Sequence, residues 1–332
     1  MPSSRRTILG IGTGLAIALL GAAHAETGSG ALFSRAAAEW RLVGYVSSET
    51  GSFRHCALHP TQSAGDSSMR LEIRDDYALS IAFARPTGAD PRARTAALRA
   101  GDENLGSYTL EAESAGELRL EIPANAAALG FLQSGEPLSI DVSGARVNLH
   151  IAAGAGSELL ACAELAGSFD PRNDAITKAL HPDDRPSSPV RRRLITLLRF
   201  SGFREVRMVP AAEMDREPGA IVWKSRSGQG TAYTESMTER SPDDLLESQR
   251  AAFVQGCPEE LLLNSTPPAR GSGYTLMQNS FGCESTGSLA VATSIVDFID
   301  VVTLAAIGER DLEPFAAANE RLLAILSAIL PR

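Results

Sequence analysis

The densest gathering of potential metal ligands in the chain is His55-Cys56-x-x-His59. Two imidazoles four residues apart share one face of a helix and can hold a transition metal between them. On a strand, alternation instead sends His55 and His59 to one side and Cys56 to the other, and Pro60 follows at once. No Asp or Glu stands close by to complete a ligand set. His55 and His59 are therefore the metal candidates, and no bound metal or other cofactor is expected.

The remaining histidines give nucleophilic catalysis little to work with. His150 lies on the polar side of an apolar alternation, and His181 stands among prolines and acids. No G-x-S-x-G elbow occurs, and no Ser or Cys is paired with either at a recognisable spacing. Gly282-Cys283-Glu284-Ser285 has the look of a glycine-flanked nucleophile, but a disulfide with another of the four cysteines accounts for Cys283 more simply. Acids are plentiful: Asp75-Asp76, Asp183-Asp184, Glu213 with Asp215 and Glu217, Asp243-Asp244, and Glu309 with Asp311 and Glu313. All fall where turns, a linker or helix starts are expected, positions that favour carboxylates by solvation and by the helix dipole. The basic run Arg191-Arg192-Arg193 reads as decoration of a helix, with an acidic partner or a lipid headgroup as the sharper reading.

The elements that must carry these residues change character part-way along. Between Trp40 and Ile151 the dominant period is two, as in Leu71-Glu-Ile73, Leu79 to Phe83, Leu118 to Ile122, Leu138 to Val142 and Val147 to Ile151. These predict half-buried antiparallel strands, with Ser143-Gly144 as a tight hairpin turn. Short helices from Asn125 to Leu132 and from Gly156 to Leu165 are placed to cover the apolar face. From Gly167 to Ser188 prolines and polar residues lose all period, apart from one helical turn at Ile176 to Leu180.

Beyond this, Ser188 and Pro189 open a helix whose Val190, Leu194, Leu197 and Leu198 share a face, ending at Gly202. Val206 to Met208 is a strand. Ile221 to Trp223 is another, continuing through Gly228 and Gly230 toward Met237. Ser241-Pro242-Asp243-Asp244 starts a helix with a capping box, running to about Gly256 with Leu245, Leu246, Ala252 and Phe253 as its stripe. Leu261 to Asn264, Tyr274 to Phe281 and a long run from Leu289 to Ala305, enough for two strands, precede a last helix burying Phe315, Leu322, Leu326 and Ile329. Trp40 and Trp223 are expected as core anchors.

Met1 to Ala25 has the make-up of a secretory signal peptide: Arg5-Arg6, the apolar run Ile8 to Ala22, and the cleavage site Ala23-His24-Ala25. Ser4-Arg5-Arg6-Thr7-Ile8-Leu9 resembles the twin-arginine signal, with Gly10 where a lysine is usual. The chain carries 31 basic and 40 acidic residues, a net charge of −9, and loss of Arg5 and Arg6 makes the mature form −11. So acidic a chain is repelled by nucleic acid and by anionic lipid. Almost all basic charge is arginine; Lys178 and Lys224 are the only lysines. Four cysteines allow three pairings. The choice that leaves one bridge in each half is Cys56 with Cys162 and Cys257 with Cys283.

Two resemblances follow. Trp40, Cys56, the Leu138 to Ile151 hairpin and Leu159-Leu160-Ala161-Cys162 resemble the invasion-associated locus B family of bacterial periplasmic proteins, over about 125 residues. That likeness implies an envelope protein acting through binding or surface association and supplies no catalytic residue. The second half, in element order alone, resembles the Mog1/PsbP-like fold. The expected organisation is α+β: a signal peptide (1–25), a β-rich disulfide-pinned domain (26–166), a linker (167–188), and an α+β domain with helices on an antiparallel sheet (189–332). The leading functional expectation is an exported, periplasmic or secreted non-enzymatic binding protein. Its partner is an unknown envelope protein or small ligand, with no nucleic acid and no transmembrane segment after cleavage. A hydrolase or transferase with a site between the two domains is the alternative, and a metal chaperone or sensor using His55 and His59 is the third reading.

Overall fold

The computed structural model describes residues 29–61, 69–114, 116–167, 173–181, 188–210, 220–236, 241–254, 257, 262–270, 274–297, 300–309 and 312–330. The signal peptide and the acids Asp183, Asp184, Glu213, Asp215, Glu217 and Asp311 lie outside them, as do Pro171, Pro182 and Pro186 of the Pro-rich stretch.

The fold is α+β, with two antiparallel sheets. The first holds ten strands: β1 (Ser29–Ala37), β2 (Trp40–Ser47), β3 (Phe53–Pro60), β4 (Arg70–Arg74), β5 (Leu79–Ala84), β6 (Thr95–Ala100), β7 (Glu103–Ala112), β8 (Glu117–Ile122), β9 (Leu138–Val142) and β10 (Ala145–Leu149). Their spatial order is β1-β2-β3-β4-β5-β8-β7-β6-β9-β10. Register turns the period-two alternation into rows across the sheet. Leu42, Leu58, Leu71, Ile81, Leu120 and Leu110 are successive cross-strand partners on the inner face, and all six are buried. Ser143 and Gly144, at φ 53° and 88°, make the tight β9–β10 turn, which needs two left-handed residues.

Over the inner face lies α2 (Ala153–Ala166), with α1 (Ala126–Ser134) packed against it; between them they bury Leu129, Leu132, Leu159 and Leu160. The expected disulfides are present. Cys56 of β3 is bonded to Cys162 of α2 with Cα atoms 6.2 Å apart, and Cys257 to Cys283 at 5.8 Å. Among the described residues no cysteine is free. Where one helical turn was predicted, α3 (Asp174–Leu180) runs for two and is docked: Tyr77 Oη and Thr177 Oγ1 are 3.1 Å apart, and the Asn173 amide donates to the carbonyl oxygens of Asp75 and Gly167. Burial raises the Tyr77 phenol to about pKa 12.

The second sheet has seven strands in the order β11-β12-β13-β17-β16-β15-β14. These are β11 (Arg207–Val209), β12 (Ile221–Lys224), β13 (Gln229–Ser236), β14 (Leu262–Arg270), β15 (Thr275–Cys283), β16 (Ser288–Val296) and β17 (Asp300–Gly308). On one face sits α6 (Leu312–Ile329), burying Phe315, Leu322, Leu326 and Ile329 as its spacing predicts. Toward the other face lies α5 (Pro242–Val254), opened by a reciprocal capping box: the Ser241 N–H donates to Asp244 Oδ2 at 2.7 Å, and the Asp244 N–H to Ser241 Oγ at 3.2 Å.

Three expectations are corrected. The strand predicted to run on from Ile221 is the hairpin β12–β13, because residues 225–228 close a turn in which the Ser225 N–H donates to the Gly228 carbonyl. The stripe of α5 is narrower than expected: Leu245 is buried but Ala252 is exposed, and buried Gln249 takes the place of an apolar residue. Within α4 (Ser188–Ser201), Leu194, Leu197 and Leu198 are buried while Val190, in the first turn, is 55% exposed. This helix packs on α2, α6 and β1, and the buried side chains of the two sheets join through it into one cluster.

Candidate functional site

On β3, alternation places His55 and His59 on the face opposite buried Cys56. Each is met from β2 by Tyr45, with ring centroids 4.8 Å from His55 and 6.2 Å from His59. Tyr45 Oη is 3.1 Å from His59 Nε2. Burial, helped by the nearby Arg41 and Arg70 guanidiniums and opposed by Glu72, pulls the His59 pKa down to about 4. His59 is thus a neutral, hydrogen-bonded imidazole at ordinary pH. Among the described residues no three His, Cys, Asp or Glu side chains gather closely enough to hold a metal ion.

The rest of this face is closed by its own charges. Glu72 accepts from both Arg70 and Arg119; Arg70 also reaches Glu113 at 2.6 Å, and Arg119 reaches Glu121 at 2.8 Å and Ser80 Oγ at 3.0 Å. Beneath them Ala57, Ser80 and Ala82 are buried. A cleft of about 420 Å³ beside β7 and β8 borders on Arg74 and Glu121, but Arg74 is paired with Asp76 and Glu121 with Arg119.

In the basic run, Arg191 is exposed while Arg192 is turned inward. Arg192 makes a two-pronged contact to Glu164 of α2, its Nε donating to Oε1 at 3.1 Å and Oε2 at 3.2 Å and its Nη2 to Oε1 at 2.6 Å, and His181 stands 3.4 Å from the same carboxylate. Two turns further along the same face of α4, Arg199 binds Glu158, which also lies 3.5 Å from Arg35. The central arginine of the run is therefore a clasp between α4 and α2, not part of a free basic patch. His150 is exposed just past β10.

A different place collects unpaired charge. At the β11 end of the second sheet a cleft of about 460 Å³ is lined by Glu205, Arg207, Lys224, the turn Ser225 to Gly228, Gln229, Ile307 and Glu309. Its floor is built by register: Arg207 is opposite Lys224, Lys224 opposite Gln229, and Gln229 opposite Ile307, so the four make one row on one face. Glu205 enters β11 in the left-handed region at φ 56°, a conformation that costs a non-glycine residue free energy and tends to be kept at functional positions.

The opposite wall is the β12–β13 turn, tied down by the Arg226 N–H donating to the Arg204 carbonyl at 3.0 Å. Gly228 is required in this turn because a Cβ would sit 2.5 Å from the Ile307 carbonyl oxygen and 2.7 Å from the Phe315 ring. Among the described residues, none of the five charged side chains lining the cleft is ion-paired. Two cations directly across a strand pair repel each other and weaken the sheet.

Sequence reasoning missed this site. It grouped Glu309 with the solvated acids and gave Lys224 no role, although Lys224 is one of two lysines in a chain whose basic charge is otherwise arginine. The missing information was that β11 lies antiparallel against β12. Comparison with protein-family models, with curated proteins and with solved structures finds no match to this chain.

Proposed function

We propose that the protein is an exported, non-enzymatic binding protein that holds a small ligand by an anionic group in the Arg207–Lys224 cleft. The observation that carries this reading is the placement of Arg207 directly opposite Lys224, neither of them ion-paired among the described residues, in a chain that is acidic overall. A bound carboxylate or phosphate would relieve that repulsion, and the Gln229 amide beside it is a further donor. A volume of about 460 Å³ suits a metabolite-sized molecule.

Export is supported by the Arg5-Arg6, apolar run and Ala23-His24-Ala25 pattern. It accords with two disulfides, and no helix among the described residues is long and apolar enough to cross a membrane. The likeness of Trp40, Cys56 and Cys162 to invasion-associated locus B proteins lends support to a role in the bacterial envelope. The test is thermal unfolding of the purified protein with added glutarate or inorganic phosphate. At least one anion is expected to raise the midpoint of the wild type and to leave Arg207→Gln/Lys224→Gln unmoved. Equal responses, or no response from either protein, would contradict the proposal.

A further inference from the structure

The cleft holds more than cations. Its inner row, Arg207, Lys224, Gln229 and Ile307, is positive on the β11–β12 side. Glu205 lies two residues before Arg207 and Glu309 two residues after Ile307, so carboxylates stand beyond the row, just outside the ends of its two flanking strands, with Arg226 on the turn between them. Both acids are exposed, and neither is ion-paired among the described residues.

A simple anion gains from three cations here but is opposed by two carboxylates. A molecule that also carries an ammonium group gains from both sets, because interfaces discriminate by matching charge to charge and by placing like charges against the wrong partner. We infer that the ligand is zwitterionic, an acidic amino acid or a close analogue, with its carboxylates toward Arg207 and Lys224 and its ammonium toward Glu205 or Glu309. This rests on the anion-binding reading above and adds the second charge. With three cations against two acids the lining carries a net charge of +1, which complements the net −1 of a ligand with two carboxylates and one ammonium.

The discriminating experiment is isothermal titration of the purified protein with L-glutamate and L-aspartate, and with glutarate and succinate, which are the same molecules without the ammonium group. Each amino acid is expected to bind at least tenfold more tightly than its amine-free counterpart. In Glu205→Gln/Glu309→Gln that preference is expected to fall to within twofold, with circular dichroism showing the variant still folded at the titration temperature. Gln tolerates the left-handed conformation at 205 as well as Glu does, so the variant keeps the backbone.

Three results would overturn the inference. Glutarate or succinate binding as tightly as the amino acids in the wild type would remove the zwitterion while leaving the anion site standing. A preference that survives intact in the double variant would show that Glu205 and Glu309 do not read the ammonium. Should none of the four compounds nor phosphate bind, the anion-binding reading falls along with it.

Discussion

Glu72 shows what the charges on the outer face of the first sheet do. The residue is 5% exposed, and its carboxylate accepts from Arg70 and Arg119, each of which also has at least one other acidic partner. Replacing Glu72 with Gln leaves two partly buried guanidiniums facing a neutral amide. Since removing one member of a buried pair costs more than the pair contributes, the variant is expected to lose about 2 kcal/mol in urea unfolding. His59 makes stability depend on pH. Its pKa falls from about 6.5 in the unfolded chain to about 4 in the fold. Above pH 6.5 it is neutral in both states. As pH falls from 6.5 toward 4 the unfolded chain takes up a proton that the folded one refuses, so this contribution is lost across that window, by up to about 3 kcal/mol, and levels off below. His59→Gln is expected to flatten the stability profile between pH 4 and 6.5. The reverse case is Lys224: without ligand, Lys224→Gln removes the repulsion with Arg207 and is expected to raise stability by about 0.5 kcal/mol in the same assay. Much at this scale was legible, because alternation alone separates His55 and His59 from Cys56. The burial of His59 was not, since it depends on Tyr45, Arg41 and Arg70 from two other strands.

Among the elements, α5 is the one held by few and separable contacts. Leu245 meets Val296 and Val301 in a small cluster of its own; Gln249 donates to Ser294 Oγ at 2.9 Å and accepts from the Asn279 amide at 3.0 Å; and Cys257, just past the helix, is bonded to Cys283. That bridge closes 26 residues, worth about 3.5 kcal/mol in the loop-entropy treatment. Reduction is therefore expected to speed amide exchange in 242–254 well before it does so in α6, which buries a long apolar face. Equal acceleration in both helices would contradict this. The capping box of α5 could be read from Ser241 and Asp244, because its chemistry is local. Gln249 could not: an amide in a helical stripe looks like solvent until the facing strands supply Ser294 and Asn279. The exposure of Val190 has the same origin, since a helical period assigns faces but not how far along the helix its neighbours extend.

Across the whole molecule, the helices tie the two sheets together more firmly than the Pro-rich sequence between them suggests. α4 lies against α2 through Arg192–Glu164 and Arg199–Glu158, and against α6 through Leu197, Leu198 and the Arg321 Nε donating to the Ser201 carbonyl at 2.8 Å. The α+β class, both disulfides and most strands of the second sheet follow from period and spacing. The pairing of the sheets' elements does not, and the cleft depends on it: its row joins residues 207, 224, 229 and 307, which lie on four strands. Clasp and cleft also explain why basic residues count for so much in an acidic chain, since Arg192 and Arg199 are neutralised within the fold while Arg207 and Lys224 are not. The most direct test of the account is a map of backbone amide chemical-shift changes on titrating the protein with L-glutamate. Changes are expected to cluster at residues 205–207, 224–229 and 307–309. A saturable response centred anywhere else, or none at all, would contradict it.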